Sequence, residues 1–347
     1  TQQETLFPYT TLFRSVPDRV RLGSAVTALL VVLLAGVGVA DVRGQATSEL
    51  SSFPFLRMEA SARAAALGGA FGAVGGGDVN VVFYNPAGLD SLSHRTVSAS
   101  YISHFAGADA GSVVYGHHVD RWSTTLGAGI RFLSWDDFDG RNVQGEPTGS
   151  FGAGDLAVTL GASRAYRSRW RYGANLNMIY SSIETARASA LTMDAGVRYH
   201  RPEQLLTIGA SVHHAGVTLD GFAGGSEQLP FDVRVSASKK LAHAPFRFVL
   251  TAYDLTGWGT GVIGGSTVDH VLGHLVLGTE LSLGEVVDLR LGYNHRRSTE
   301  LAVAERLDLA GIGVGFGLHI SRLSVDYAYN SWSTTGGLHQ FTLRTSI

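Results

Sequence analysis

The chain has 347 residues, of which 44 are glycine and none is cysteine, with 16% charged residues and a formal net charge of −2. The missing cysteine excludes a disulfide framework, a thiolate zinc site, a cysteine nucleophile and a lipidated amino-terminal Cys, and a near-neutral chain with scattered arginines lacks the basic stripe a nucleic-acid partner requires. Low charge and high glycine, with no apolar run long enough for a mature spanning helix, point to a membrane protein that crosses with strands, which means a closed barrel.

Residues 1–46 read as a leader. The segment LFPYTTLFRS, Leu6 to Ser15, resembles translated sequencing-adapter read-through, which would put the native start at Val16. Arg19 and Arg21 then precede an apolar stretch from Ala25 to Ala40, with small residues at Gly38/Ala40 and Gly44/Ala46. That is the order of a Sec signal peptide, and about 16 residues is short for a membrane anchor. Residues 47–95 form the next unit. Within it Ser51 to Leu92 is rich in glycine and alanine and does not alternate, a composition suited to a segment packed inside a barrel as a hatch; Asn85-Pro86-Ala87-Gly88 is turn chemistry.

Residues 96–347 alternate. Leu191, Met193, Ala195, Val197 and Tyr199 are apolar, while Thr192, Asp194, Gly196, Arg198 and His200 between them are not. Side chains on a strand point to opposite faces in turn, so one face is apolar and the other wet. About fourteen such segments follow at hairpin spacing, predicting an all-β transmembrane antiparallel barrel with both ends on one side. Gly127 and Gly129, and the row Gly311 to Gly317, are expected to face inward, leaving room for the hatch or for curvature. Tyr172, Tyr180, Tyr199, Tyr293, Tyr327, Tyr329 and Trp332 suit interface girdles. Long polar connections are read at Asp136–Ser150, Asp220–Leu229, Thr256–Gly273 and Arg296–Arg306; the second, after strand seven, is assigned to the opposite end from the other three, which demands a miscounted strand or a long periplasmic turn. The last strand alternates through Phe341, Leu343, Thr345 and Ile347, resembling a barrel-assembly signal.

Catalytic and metal chemistry finds no support. Ser236-Ala237-Ser238-Lys239 fits the S-x-x-K pattern of penicillin-recognising enzymes, but on a strand its serine and lysine face opposite ways and the companion triplets are missing. His117-His118 and His213-His214 likewise point apart, GIGVGFG opens no helix, and no motif supports a lipolytic barrel. The chain is therefore read as non-enzymatic, without cofactor or metal. The inward polar residues Arg131, Asn175, Asn177, Asp194, Arg198 and Arg290, with Asp232, Arg234 and Asp326, are expected to form a lumenal ion-pair and hydrogen-bond network. Asn294, His295, Arg296, Arg297 and Glu300 lie where a strand enters a polar loop; a partner surface and a plain solvated loop both fit. In HAPFRF, Pro245 suits a strand start, with Phe246 and Phe248 on one face and Arg247 on the other.

The pairing of ARAAALGGAF (Ala62 to Phe71) with DVNVVFYNPAGLD (Asp78 to Asp90) resembles the hatch of the FadL-like outer-membrane family, fourteen-stranded barrels plugged by their first residues. The resemblance implies a hatch role for Gly68, Gly69, Asp78, Asn80, Asn85 and Pro86. FPFLRMEASARAAALGGAF, GSFGAGDLAV, LPFDVRVSASKKL, HAPFRF, GYNHRRSTEL and LAGIGVGFG, in order from Phe53 to Ile347, resemble the PorV/PorQ group within that family, and PorQ-like members most. That implies an integral outer-membrane protein, reached by Sec export and contacting outer-membrane lipid. It further implies a part in type IX protein secretion or surface attachment, with secretion components and cargo bearing carboxy-terminal signal domains as partners. The contending expectation is a FadL-like transporter of a hydrophobic ligand, which predicts an apolar pocket between hatch and wall and a lateral gap in one strand.

Overall fold

The computed structural model describes residues 52–103, 107–142, 144–222, 228–257, 266–301, 309–333 and 336–347; the leader and signal peptide expected in 1–46 lie outside the described residues. The alternating segments become strands β1 (Thr96–Ser103), β2 (Ala108–Val119), β3 (Thr124–Trp135), β4 (Phe138–Arg141), β5 (Pro147–Phe151), β6 (Ala153–Tyr166), β7 (Trp170–Ile183) and β8 (Ala186–Arg201). They continue as β9 (Leu206–Asp220), β10 (Asp232–Lys240), β11 (Phe246–Ala252), β12 (Leu275–Leu283), β13 (Val287–Asn294), β14 (Ile312–Ile320), β15 (Leu323–Ser333) and β16 (Gly336–Ser346). All except β4 and β5 join one closed antiparallel barrel, fourteen strands in all, sealed where β1 pairs β16 from Thr96↔Ser346 to Ser103↔His339. β4 and β5 form a separate hairpin in the connection after β3.

The period of two decides which face each residue takes. Leu160, Met178, Leu191, Leu277, Leu291 and Phe341 stand exposed on the outside, part of an apolar belt around the barrel. Apolar surface on this scale belongs against hydrocarbon and not water. No helix among the described residues is long and apolar enough to cross a membrane; a closed barrel with an apolar outer belt crosses with its strands. Phe246 and Phe248 stack outward at 6.1 Å while Arg247 turns inward to Glu280.

The structure corrects two features of the sequence reading. The long connections follow β3, β9, β11 and β13, the third, seventh, ninth and eleventh barrel strands, so all four open at the same end and the parity mismatch disappears. The GYNHRRSTEL segment is also not an irregular loop. Among the described residues three short α-helices, α1 (Ala62–Ala66), α2 (Thr267–Gly273) and α3 (His295–Leu301), interrupt the strands, and α3 takes up the residues after β13. The opposite end has short turns, several closed by a left-handed residue such as Ser123, Arg167 or Leu205.

Residues 53–93 run through the barrel interior. Ser52 N–H donates to Gln228 C=O at the long-connection end (2.9 Å), and His94 Nδ1 accepts from His118 N–H at the short-turn end (3.1 Å). Glycines on the inward rows make the space. A Cβ on Gly173 would lie 2.6 Å from Pro86 C, and one on Gly129 2.6 Å from Phe83 Cζ. Gly196 meets Asn85, Gly278 and Gly292 meet Leu67 and Gly68, and Gly313 and Gly315 meet Ala65 and Ala66. The glycine excess of the composition is largely this: a ring of missing side chains shaped to the segment inside.

Candidate functional site

The lumenal segment is shaped by its own side chains. Ser61 Oγ accepts from Ala64 N–H and caps α1, whose end turns through Gly68 (φ +69°) and Gly69 (φ +96°), with Gly69 N–H donating to Ala64 C=O at 2.9 Å. That left-handed pair is why glycine stands at both positions. Asp78 Oδ1 accepts from Asn80 N–H at 3.2 Å and Asn85 Oδ1 from Ala87 N–H at 3.0 Å, each starting a single 3-10 turn, the second with Pro86 in its first position. The remaining donors reach the wall: Asn80 Nδ2 to Ser98 Oγ (2.9 Å) and Asn85 Nδ2 to Val197 C=O (3.4 Å).

One side of the lumen, at β11 to β16, is filled by buried ion pairs. Arg63 of α1 donates to both oxygens of Glu280 (2.9 and 2.8 Å) and approaches Asp78 at 3.3 Å; Arg344 pairs with Asp78 from β16. Arg290, fully buried, bonds Glu280 (2.9 Å), Asp326 (2.6 Å) and Asp288 (3.2 Å), and Arg247 lies 3.4 Å from Glu280. Four guanidinium groups (Arg63, Arg247, Arg290, Arg344) thus face four carboxylates (Asp78, Glu280, Asp288, Asp326), a net charge of zero. Burial alone would raise the Asp78 carboxyl, but the Arg344 and Arg63 charges outweigh it and hold it well below the usual range. For Arg63 burial works toward neutrality, and Glu280 and Asp78 overcome it, so the guanidinium stays charged. A balanced cluster of this kind locks the segment to β12, β13, β15 and β16 and selects no ion.

A second cluster sits on β7 and β8. Asp194 accepts from Asn175 Nδ2 and Asn177 Nδ2 (both 3.0 Å) and from His214 N–H (2.9 Å), while Asn175 also donates to Val82 C=O (2.9 Å). Asp194 faces two residues of β9 because the register slips between Met193 and Ala195; His214 takes φ +54° in the resulting bulge. Simple alternation therefore fails at His213-His214. Both imidazoles are buried, with ring centroids 6.0 Å apart, instead of facing opposite ways. Among the described residues no three His, Asp or Glu side chains are grouped to hold a metal ion. Arg198 reaches Gly88 C=O at 3.4 Å and Asp90 at 4.0 Å. Ser236 and Lys239 do face opposite ways, Ser236 bonding Thr251 inside while Lys239 is exposed.

Space remains toward the long-connection end. A cleft of about 190 Å³ lies between the lumenal segment (Leu56 to Glu59, Gly68, Phe83, Tyr84) and the wall from β9 to α3. Residues after β13 turn into it: Arg296 donates to Asp254 (2.8 Å) and stacks over Tyr253, and Arg297 donates to Glu59 (3.0 Å). Asn294 is buried and receives the Tyr253 hydroxyl at 3.3 Å; Glu300 lines the rim, and His295 faces Asp269 at 3.4 Å. Arg131 enters from β3, donating Nη1 to Leu56 C=O (3.0 Å) and lying over the Phe83 ring at 5.2 Å. The charged lining comprises five arginines (57, 131, 234, 296, 297) against four carboxylates (Glu59, Asp232, Asp254, Glu300). Arg131 has no carboxylate within ion-pair distance among the described residues, and its Nε and the His214 Nδ1 are buried without a hydrogen-bond partner. The Tyr84 phenol is pushed well above its ordinary value, first by burial and then by the nearby Glu59 charge, and stays protonated, its oxygen accepting from Ala60 N–H at 2.7 Å.

Sequence reasoning reached Arg131, Asn175, Asn177, Asp194, Arg198 and Arg290 through alternation and missed Arg63, Glu280, Asp288, Arg344 and Glu59. Glu280 was within reach, since Val276, Gly278 and Glu280 form the inward row of β12. Arg63 and Glu59 had no periodic signal to mark them.

No family model matches the chain, and no curated protein matches it. Solved structures do. The toluene transporter TbuX of Ralstonia pickettii is 13% identical with a TM-score of 0.53, over 86% of this chain and 99% of that one. A deltaS2 mutant of the monoaromatic hydrocarbon channel TodX is 13% identical with a TM-score of 0.50, over 82% and 97%. The monoaromatic hydrocarbon channel CymD is 11% identical with a TM-score of 0.50, over 83% and 97%. At such identities the likeness is one of fold, a closed barrel covering nearly the whole of each neighbour.

Proposed function

We propose that this protein is a non-enzymatic outer-membrane barrel that takes a small amphipathic molecule, an apolar ring or short chain with an anionic head, into the cleft between its lumenal segment and its wall. The observation that carries the reading is Arg131: a buried guanidinium with an unused Nε–H, beside an aromatic face, in a cleft with one more cation than anion. A dry cavity of roughly 150 Å³ accommodates benzene, so the volume suits one aromatic ring. The neighbours named as a toluene transporter and monoaromatic hydrocarbon channels support a ligand of one aromatic ring; the charged lining here argues for a polar head on it. Binding measured by calorimetry on the detergent-purified barrel tests this. Benzoate is expected to bind, and Arg131→Leu to weaken it roughly 10- to 100-fold, the worth of a charge-assisted hydrogen bond, while toluene binding changes by less than about threefold. Equal loss for both ligands would remove Arg131 from head-group recognition.

A second reading, a component of type IX secretion or surface attachment, is favoured by the ordered motifs from Phe53 to Ile347 and by the charge-balanced cluster that ties the lumenal segment to the wall. It gains if neither ligand binds and the barrel, extracted in mild detergent from a host with that system, retains proteins bearing carboxy-terminal signal domains.

A further inference from the structure

The short-turn end of the barrel is basic on one side only. Arg164, Arg167, Arg201 and Lys240 are exposed there, at the ends and turns of β6 to β10, and none has a carboxylate within ion-pair distance among the described residues. The nearest acidic side chain on these turns, Glu203, is engaged by Arg169 at 2.8 Å. Across the barrel, the turns after β2, β12 and β14 carry Asp120 and Glu285 against Arg121 and Arg322, one acid for each base, with Val286 and Leu323 exposed beside them.

The position of these cations identifies what they meet. Arg164 shares the outward row of β6 with Leu156 and Leu160, and Arg201 shares that of β8 with Met193 and Val197. Aromatic rings flank them: Tyr199 precedes Arg201 on the outward row of β8, Tyr166 follows Arg164 on that of β6, and Tyr172 of β7 lies opposite Arg164, with Trp170 packed on Tyr199 at 4.8 Å and Arg167 over Tyr166 at 5.4 Å. Hydrocarbon-facing side chains, then a band where aromatic rings and guanidinium groups without a carboxylate partner stand together, is the order met on passing from a bilayer core to its headgroups. A soluble acidic partner would be reached through the turn tips, whereas Arg164 and Arg201 stand on the outward rows that carry the lipid-facing side chains.

We infer that this face, from β6 to β10 at the short-turn end, binds the headgroups of anionic phospholipids in the leaflet it borders. The inference rests on the membrane-barrel reading above. Its test is native mass spectrometry of the full barrel released from vesicles containing equal amounts of phosphatidylglycerol and phosphatidylcholine. The unaltered protein is expected to retain phosphatidylglycerol in preference by on the order of tenfold, from about four headgroup-facing cations. The variant Arg164→Gln/Arg167→Gln/Arg201→Gln/Lys240→Gln should fall to within about twofold, and high salt should do the same to the unaltered protein. The salt arm decides the matter if the variant does not fold. Equal retention of the two lipids by an inserted, heat-modifiable barrel overturns this inference alone and assigns the face to an acidic protein. Failure to insert at all overturns the membrane reading with it.

Discussion

Replacing Glu280 with alanine is expected to destabilise the folded barrel by about 3–5 kcal/mol, the cost of removing one partner from a buried ion pair. Glu280 accepts from Arg63 and Arg290 together and lies 3.4 Å from Arg247, at 3% exposure. Its loss turns a cluster of zero charge into one with an unbalanced cation and leaves the Arg63 fork without an acceptor on β12. Arg63 belongs to α1, so the damage also loosens the lumenal segment. Equilibrium unfolding in urea, followed by the mobility difference between folded and unfolded barrel on gels, measures it. Glu280→Gln keeps the shape and should cost less. Glu280→Ala combined with Arg63→Ala should recover part of the loss, because neutrality returns. A cost for Glu280→Ala below about 1 kcal/mol would mean that the cluster behaves like a surface pair.

Gly292→Leu should expel the lumenal segment from its seat while leaving the barrel closed. A Cβ on Gly292 would collide with the backbone of Leu67 and Gly68 and lie 2.8 Å from Ala66 C=O. Backbone cannot rotate aside as a side chain can, and the left-handed turn at Gly68 and Gly69 fixes the path there. Overpacking commonly costs about 1–3 kcal/mol when side chains can adjust; the cost here falls on the docked state of residues 62–93. Arg63, buried in the unaltered protein, should become a trypsin site, and amide exchange across 62–93 should accelerate. Leu291→Val, one residue along on the lipid face, should change neither. Continued protection of Arg63 in Gly292→Leu would show that the segment is not held by the glycine ring.

The sequence was legible wherever one rule governed one residue. The period of two located the strands and assigned Arg131, Asn175, Asp194 and Arg290 to the inside, because membrane on one side and packed chain on the other enforce the alternation. It failed at His213-His214, where a bulge inserts one residue and both rings go inward. It also gave no warning that Arg296 and Arg297 bend back into the lumen: Asp254 and Glu59, their partners, are separated from them by 42 and 238 positions. Contacts at that distance are set by barrel closure, which no local pattern contains. The lumenal segment shows the same limit. Its caps at Ser61, Asp78 and Asn85 are local and readable, whereas the charge balance around Arg63 appears only once β12, β13 and β16 are brought to one wall.

Together the balanced cluster and the cleft describe a barrel whose interior is occupied by its own chain, with a space of about 190 Å³ left toward the long-connection end. Planar-bilayer conductance of the reconstituted, unaltered protein tests this most directly. Membranes containing folded, inserted barrels should stay electrically silent, because residues 53–93 run through the lumen and pack against its glycine rows. A steady, ohmic conductance from the unaltered protein would contradict the account, since it would require an open lumen that residues 53–93 do not fill.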